Sequence, residues 1–263
     1  LVAALGVGPM LAWKRGDLLA ALDRLKFAGL ATIIVALLAY WSEGGKHVAG
    51  LLWMGGAAWL VISALAEIAD RIKLGRVPLG QSLARAGGLP RSAWGMALAH
   101  AALGIVIFGM TGTSLWTDEN LQAMQPGETV HVAGYDVKLD GVAPVAGPNY
   151  DADRATFTVT RDGHPVAVLT PERRVFRTQG GEATHIGIHT DLMADLYAVI
   201  GEPDPGRPGA YITRLYHHPL VPWIWIGAVV MVAGGMMSLS DRRLRVGAPA
   251  RSRGMAPVPA SAE

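Results

Sequence analysis

Long blocks without a single formal charge constrain this chain more than any other feature. Val48 to Ala66 runs for 19 residues with no Asp, Glu, Lys or Arg, and Ser92 to Thr117 and Leu215 to Ser240 are equally free of them. About 20 helical residues cross the hydrocarbon core of a bilayer, where only helices and closed barrels satisfy the backbone. The apolar run Phe27 to Trp41 becomes long enough when Leu22 and Leu25 extend it, with Lys26 snorkelling towards the interface. Four spans follow, at about 22–41, 48–67, 92–115 and 219–240. The uncharged stretch at about 1–13 reads as part of a fifth, bent at Gly8-Pro9. Because it opens inside an apolar run, without Met or a basic leader, the chain is expected to be a partial sequence.

Charge bias orients the spans. Lys14, Arg15, Arg24, Lys26, Arg71, Lys73, Arg76, Arg85 and Arg91 fall on one side with Arg242, Arg243, Arg245, Arg251 and Arg253, 14 of the 23 basic residues. That side is cytoplasmic by the positive-inside rule. The opposite side receives the loop at 43–47 and a long insert, 116–216, whose 14 acidic and 8 basic residues give a balance of −6. Trp41, Trp116, Trp223 and Trp225 sit near the outer ends, where interfacial aromatics belong. Topology thus accounts for the Lys and Arg residues, and no nucleic-acid partner is expected. There are no cysteines, so disulfides, thiolate metal sites and Cys nucleophiles are excluded.

Within the insert the periodicity changes from helical to twofold. Thr129 to Val132 and Tyr135 to Leu139 alternate, and Ala155 to Thr160 and Pro165 to Thr170 flank Arg161-Asp162-Gly163-His164, a tight-hairpin signal. The expected fold is a polytopic α-helical membrane protein with a β-rich domain inserted before the last span. A short helix is expected near Leu192 to Ile200, and a disordered cytoplasmic tail at 241–263.

His100 most needs an explanation. It lies roughly 12 Å into the span that begins at Ser92, counted at 1.5 Å per residue, and an imidazole at that depth needs a partner. A hydrogen-bonding group on a neighbouring helix, a metal such as heme iron, and a proton relay all meet that need. Ala97, Ala101 and Gly104 leave room for a flat macrocycle or another helix. His185 and His189, with Asp191, have metal-ligand spacing only on a helix, and Gly187 argues for a strand or loop. His217 and His218 stand where the insert re-enters the membrane. Glu67 reads as a local ion pair, and Arg173, Arg174 and Arg177 as a carboxylate or lipid-headgroup site or a solvated strand edge. Phosphate-binding glycine loops, His-Glu-x-x-His and Gly-x-Ser-x-Gly are absent.

The stretch from Arg91 to Gly104, RSAWGMALAHAALG, resembles a segment of the CcmF/CycK/CcsA-type family, the large membrane subunit of the cytochrome c heme lyase. Pro171 to Arg174, Asp195 to Tyr197, Gly201-Glu202 and the return segment Arg214 to Gly227 are similar to the same family, in the same order. The resemblance implies a multi-pass protein of the bacterial inner membrane with its large loop in the periplasm. Its partners would be a heme chaperone, a thiol oxidoreductase-type lyase subunit, apocytochrome c and membrane lipid. The implied reaction joins heme to the thiols of a Cys-x-x-Cys-His motif. A transmembrane heme b, held by two histidines, is the implied cofactor, and His100 matches one of those axial ligands. The other ligand and the family's tryptophan-rich motif are not in this chain, and no catalytic residue is assigned here. A transporter or channel subunit with a receptor or gating insert is the alternative.

Overall fold

A computed structural model describes residues 1–10, 18–42, 44–178 and 180–241. The tail expected from 241 onward lies outside the described residues except for Asp241. Among the described residues four helices are long and apolar enough to cross a membrane. They are α2 (Leu18–Ser42), α3 (Val48–Arg71), α5 (Arg91–Trp116) and α6 (Val221–Leu239). The short α1 (Val2–Val7) lies against α3, and α4 (Leu79–Gly88) joins α3 to α5.

The four long helices pack in sequence order, α2 on α3, α3 on α5, α5 on α6. Small residues make those contacts close, as they must where lipid competes with helix for every apolar surface. A Cβ on Gly95 would lie 2.5 Å from the carbonyl oxygen of Gly234, and one on Gly104 would lie 2.8 Å from that of Ala57. Ala97 packs with Ala64 and Ile68 of α3. At the cytoplasmic end the Ser92 N–H donates to Asp241 Oδ2 at 3.0 Å, placing a carboxylate at the positive end of α5.

Between α5 and α6 the chain forms two antiparallel sheets. The first has the order β1 (Asp118–Met124), β10 (Tyr211–Pro219), β9 (Ala194–Pro203), β8 (Gly187–Thr190). The second has the order β2 (Thr129–Val132), β3 (Tyr135–Ala146), β4 (Tyr150–Arg161), β6 (Glu172–Phe176), β7 (Glu182–His185), with β5 (His164–Leu169) on β4. Val137 pairs with Val159 and Leu139 with Phe157; these four are fully buried against Leu196, Ile200 and Leu215 of the other sheet. The Asp162-Gly163 turn has positive φ at both residues, 51° and 76°, as a two-residue hairpin requires.

The inserted β-domain is therefore present, but the helix expected at Leu192 to Ile200 is strand β9. Leu196, Ala198 and Ile200 alternate into the core, and β9 is paired on both sides, by β8 and β10. Sheet pairing outweighs the weak helical preference of Asp195-Leu196-Tyr197-Ala198.

Candidate functional site

His100 stands nine residues into α5, roughly 14 Å along it at 1.5 Å per residue. It is half-buried, and no hydrogen-bond partner meets its ring among the described residues. Helical periodicity of about 100° per residue turns it away from Trp94, Leu98 and Ala101, which line a groove beside α3. The groove is thus not its surroundings. Ala97 and Gly104, one turn to either side of His100, are filled by α3 rather than forming an open cradle. His100 lies on the flank of the helical layer that also carries α1, whose Gly6 abuts Trp59 and Ser63 of α3.

Among the described residues no group of three or more His, Cys, Asp or Glu side chains forms a metal cluster. The donor set suits heme iron better than a bare ion, because heme brings four ring nitrogens and takes only axial ligands from protein. An unpartnered imidazole in an apolar span fits that requirement.

The other candidates disperse. His185 ends β7 and His189 lies in β8, on different sheets, so their spacing builds no common face. Glu67, 3% exposed, accepts from Arg71 at 2.7 Å through Oε1, while its Oε2 has no hydrogen-bond partner among the described residues. Arg173 bridges Asp153 and Glu182, Arg174 holds Glu172, and Arg177 holds Asp151. These arginines bind carboxylates, but the carboxylates are the domain's own. Glu172 is buried between Arg154 and Arg174; burial works to raise its pKa, and the two guanidinium hydrogen bonds outweigh it and hold the carboxyl below its ordinary value.

The pair at the membrane boundary divides. His218 stacks on Tyr216 with ring centroids 5.4 Å apart, and its Nδ1 is 3.1 Å from Thr117 Oγ1, linking β10 to the end of α5. His217 turns towards Tyr135 and lines a cavity of about 560 Å³ with Trp116, Arg161 and Asp191. Burial, partly opposed by Asp191 and Asp118, lowers its pKa and favours the neutral ring. Asp191 is itself held below the ordinary range: burial opposes this, but the N–H groups of Met193 and Ala194 and the Tyr135 hydroxyl donate to it. Tyr135, Arg161 and Asp191 lie far apart in sequence, so their grouping had no local signal.

Four apolar spans with an antiparallel β-sandwich between the last two define a multi-pass membrane protein bearing an extramembrane sandwich. A family model described as the CcmF C-terminal beta-sandwich matches residues 115–219. The chain is 46% identical over 254 residues to the cytochrome c-type biogenesis protein CycK of Bradyrhizobium diazoefficiens, covering 96% of the chain and 38% of that protein. It is 35% identical over 242 residues to the cytochrome c-type biogenesis protein CcmF of Escherichia coli, covering 92% of the chain and 35% of that protein. A solved structure, "Cytochrome c Heme Lyase CcmF", has the same fold over 91% of this chain and 38% of its own, with a TM-score of 0.69 at 18% identity. The chain belongs to the CcmF/CycK-type family of cytochrome c biogenesis proteins. It spans 38% of the length of the CycK relative. The family and the charge bias make it a multi-pass inner-membrane protein with the β-domain in the periplasm.

Proposed function

We propose that this chain is the carboxy-terminal part of a cytochrome c heme lyase subunit, in which His100 supplies one axial ligand to a membrane-embedded heme b. The observation that carries the reading is an imidazole deep in a span, without a hydrogen-bond partner among the described residues, within a stretch similar to biogenesis proteins over 96% of the chain. A heme b held there would supply one-electron chemistry, which the family resemblance links to reduction of incoming heme before its attachment to apocytochrome Cys-x-x-Cys-His thiols. His100 would ligate through one ring nitrogen and donate from the other to a backbone or side-chain acceptor. Gly95, Gly104 and Ala97 would fix the ligand by locking α5 between α3 and α6. The β-sandwich would offer the surface for the thiol oxidoreductase-type subunit or the apocytochrome, while a heme chaperone delivers heme. No observation favours the transport alternative.

The test is the visible and EPR spectrum of the intact protein with and without His100→Ala at matched expression. The variant should lose heme or open a coordination position that added imidazole refills. Unchanged heme content with unchanged bis-imidazole signals would make His100 a packing residue. For the sandwich, photo-crosslinkers at Arg207 and at the exposed Val168 should capture one of the two protein partners. Capture of neither, with the complex still intact, would exclude docking through these positions.

A further inference from the structure

The His217 cavity continues into the membrane. A second cavity, of about 470 Å³, lies between α2, α3, α5 and α6 and shares Phe108, Met193 and Leu220 with the first. Its walls are apolar, including Val61, Ile105 and Trp223. The Trp223 indole N–H is buried there without an acceptor among the described residues. Above the shared residues the lining includes the polar side chains of Tyr135, Arg161, Asp191 and His217. Arg161 stacks on Tyr135, 5.1 Å from the ring centroid, and donates to its hydroxyl at 3.4 Å. Among the described residues no carboxylate lies within 4.0 Å of this guanidinium or of that of the exposed Arg214, whereas Arg154, Arg173, Arg174, Arg177 and Arg207 in the same domain all have one; of the two, Arg161 lines the cavity. The carboxylate of Asp191 also lines the upper cavity, but its oxygens already accept from Met193, Ala194 and Tyr135. His217 beside it favours the neutral form and adds no charge.

A guanidinium left over at the outer interface, directly above an apolar slot within the bilayer, is complementary to one molecule shape: an anionic head on an apolar tail. We propose that the joined cavities bind one anionic phospholipid of the periplasmic leaflet, its phosphate on Arg161 and an acyl chain along Val61, Ile105 and Trp223. Arginine suits a phosphate diester because its planar fork donates two parallel hydrogen bonds. The slot lies on the flank of the layer turned away from His100, so this site is independent of the heme assignment. Lipid here would wedge the Asp191–Met193 turn against Leu220, whose N–H donates to the Met193 carbonyl at 2.6 Å, and so set the angle of the sandwich on the membrane.

The test uses the intact protein in nanodiscs of phosphatidylcholine containing phosphatidylglycerol, with bromine on the acyl chains of one lipid or the other. Brominated phosphatidylglycerol should quench tryptophan emission more than brominated phosphatidylcholine at equal bromine content, and Trp223→Phe should remove that excess. Arg161→Gln should weaken the apparent phosphatidylglycerol affinity on the order of tenfold, the scale of one charge-assisted contact, and Arg161→Lys should retain much of it. Equal quenching by the two lipids would overturn the proposal, as would an excess untouched by Trp223→Phe. No quenching by either would mean that another protein segment fills the slot. An excess abolished by millimolar inorganic phosphate at constant ionic strength would identify a free-anion site instead of a lipid site. Should Arg161→Gln fail to insert, the lipid comparison on the native protein and on Trp223→Phe still decides.

Discussion

Glu172 and His217 are both partly or wholly buried in the β-domain, yet their surroundings push them to opposite charge states. Glu172 is kept ionised by Arg154 and Arg174, so Glu172→Gln leaves two guanidinium groups facing a neutral amide. That substitution should cost roughly 2–3 kcal/mol, below the full penalty of breaking a buried pair because Arg154 is partly exposed. Thermal or denaturant unfolding of the intact protein, followed on the β-domain, measures it; a change within experimental scatter would assign the cluster to the solvated surface. His217 carries the pH dependence. Its folded pKa lies below the ordinary value of 6.5, so the neutral ring is what folding favours. The stability this confers is fully present above pH 6.5 and is lost as pH falls through the lower folded value. His217→Phe should flatten the stability profile in that window while leaving the acid limb set by Glu172. A profile identical to the native one would show that the ring is equally solvated in both states. Neither role was legible in the sequence. Glu172 followed a proline and preceded two arginines, a pattern that fits an exposed edge as well as a buried triad. His217 was visible only as half of a boundary pair; the residues that bury it, Tyr135 and Asp191, are 82 and 26 positions away.

At the level of elements, the helices were readable because lipid demands the same thing of every segment, an unbroken run of apolar residues of fixed length. Which faces meet was not readable, since Gly and Ala are spread around α5. The structure uses opposite faces: Ala97 and Gly104 against α3, Gly95 and Gly109 against α6. Gly95→Val would drive a Cβ to 2.5 Å from backbone atoms of Gly234 and Ser238, neither of which can rotate away. It should destabilise the α5–α6 pair by about 1–3 kcal/mol, whereas Gly235→Ala, with open space around it, should fall within about 0.5 kcal/mol of the native protein. Melting temperatures of the two variants in one detergent distinguish them; equal melting would mean that α5 and α6 separate without cost. Strand β9 shows the complementary failure. Asp195-Leu196-Tyr197-Ala198 reads equally well at helical and strand spacing over so short a window. Only pairing with β8 and β10, formed by chain on both sides of it, decides between them.

The whole molecule presents a layer of four spans with one membrane-embedded histidine among the described residues. The remaining described histidines lie in the loop before α3 or in the β-domain: His47 precedes α3, and His131, His164, His185, His189, His217 and His218 belong to strands. On the proposed ligation by His100, a bis-imidazole heme would need a second ligand besides these histidines, one able to reach the flank of α5 that carries His100. Among the described residues, no histidine lines the apolar slot on the opposite flank. Two proteins distinguish this arrangement from one in which the chain binds heme by itself. The 263-residue chain in detergent should take up heme weakly and in a five-coordinate, single-imidazole form, with added imidazole shifting it towards the six-coordinate spectrum. The intact protein should be six-coordinate and low-spin without added imidazole, and His100→Ala in it should reproduce the behaviour of the isolated chain. The measurement is heme stoichiometry and visible absorbance across an imidazole titration of all three. A six-coordinate spectrum from the isolated chain alone would place both ligands within it, and would require His47 or one of the β-domain histidines to reach into the membrane. The Thr117 contact of His218 and the Tyr135 packing of His217 argue against such a movement, because both rings are tied to the domain above the bilayer.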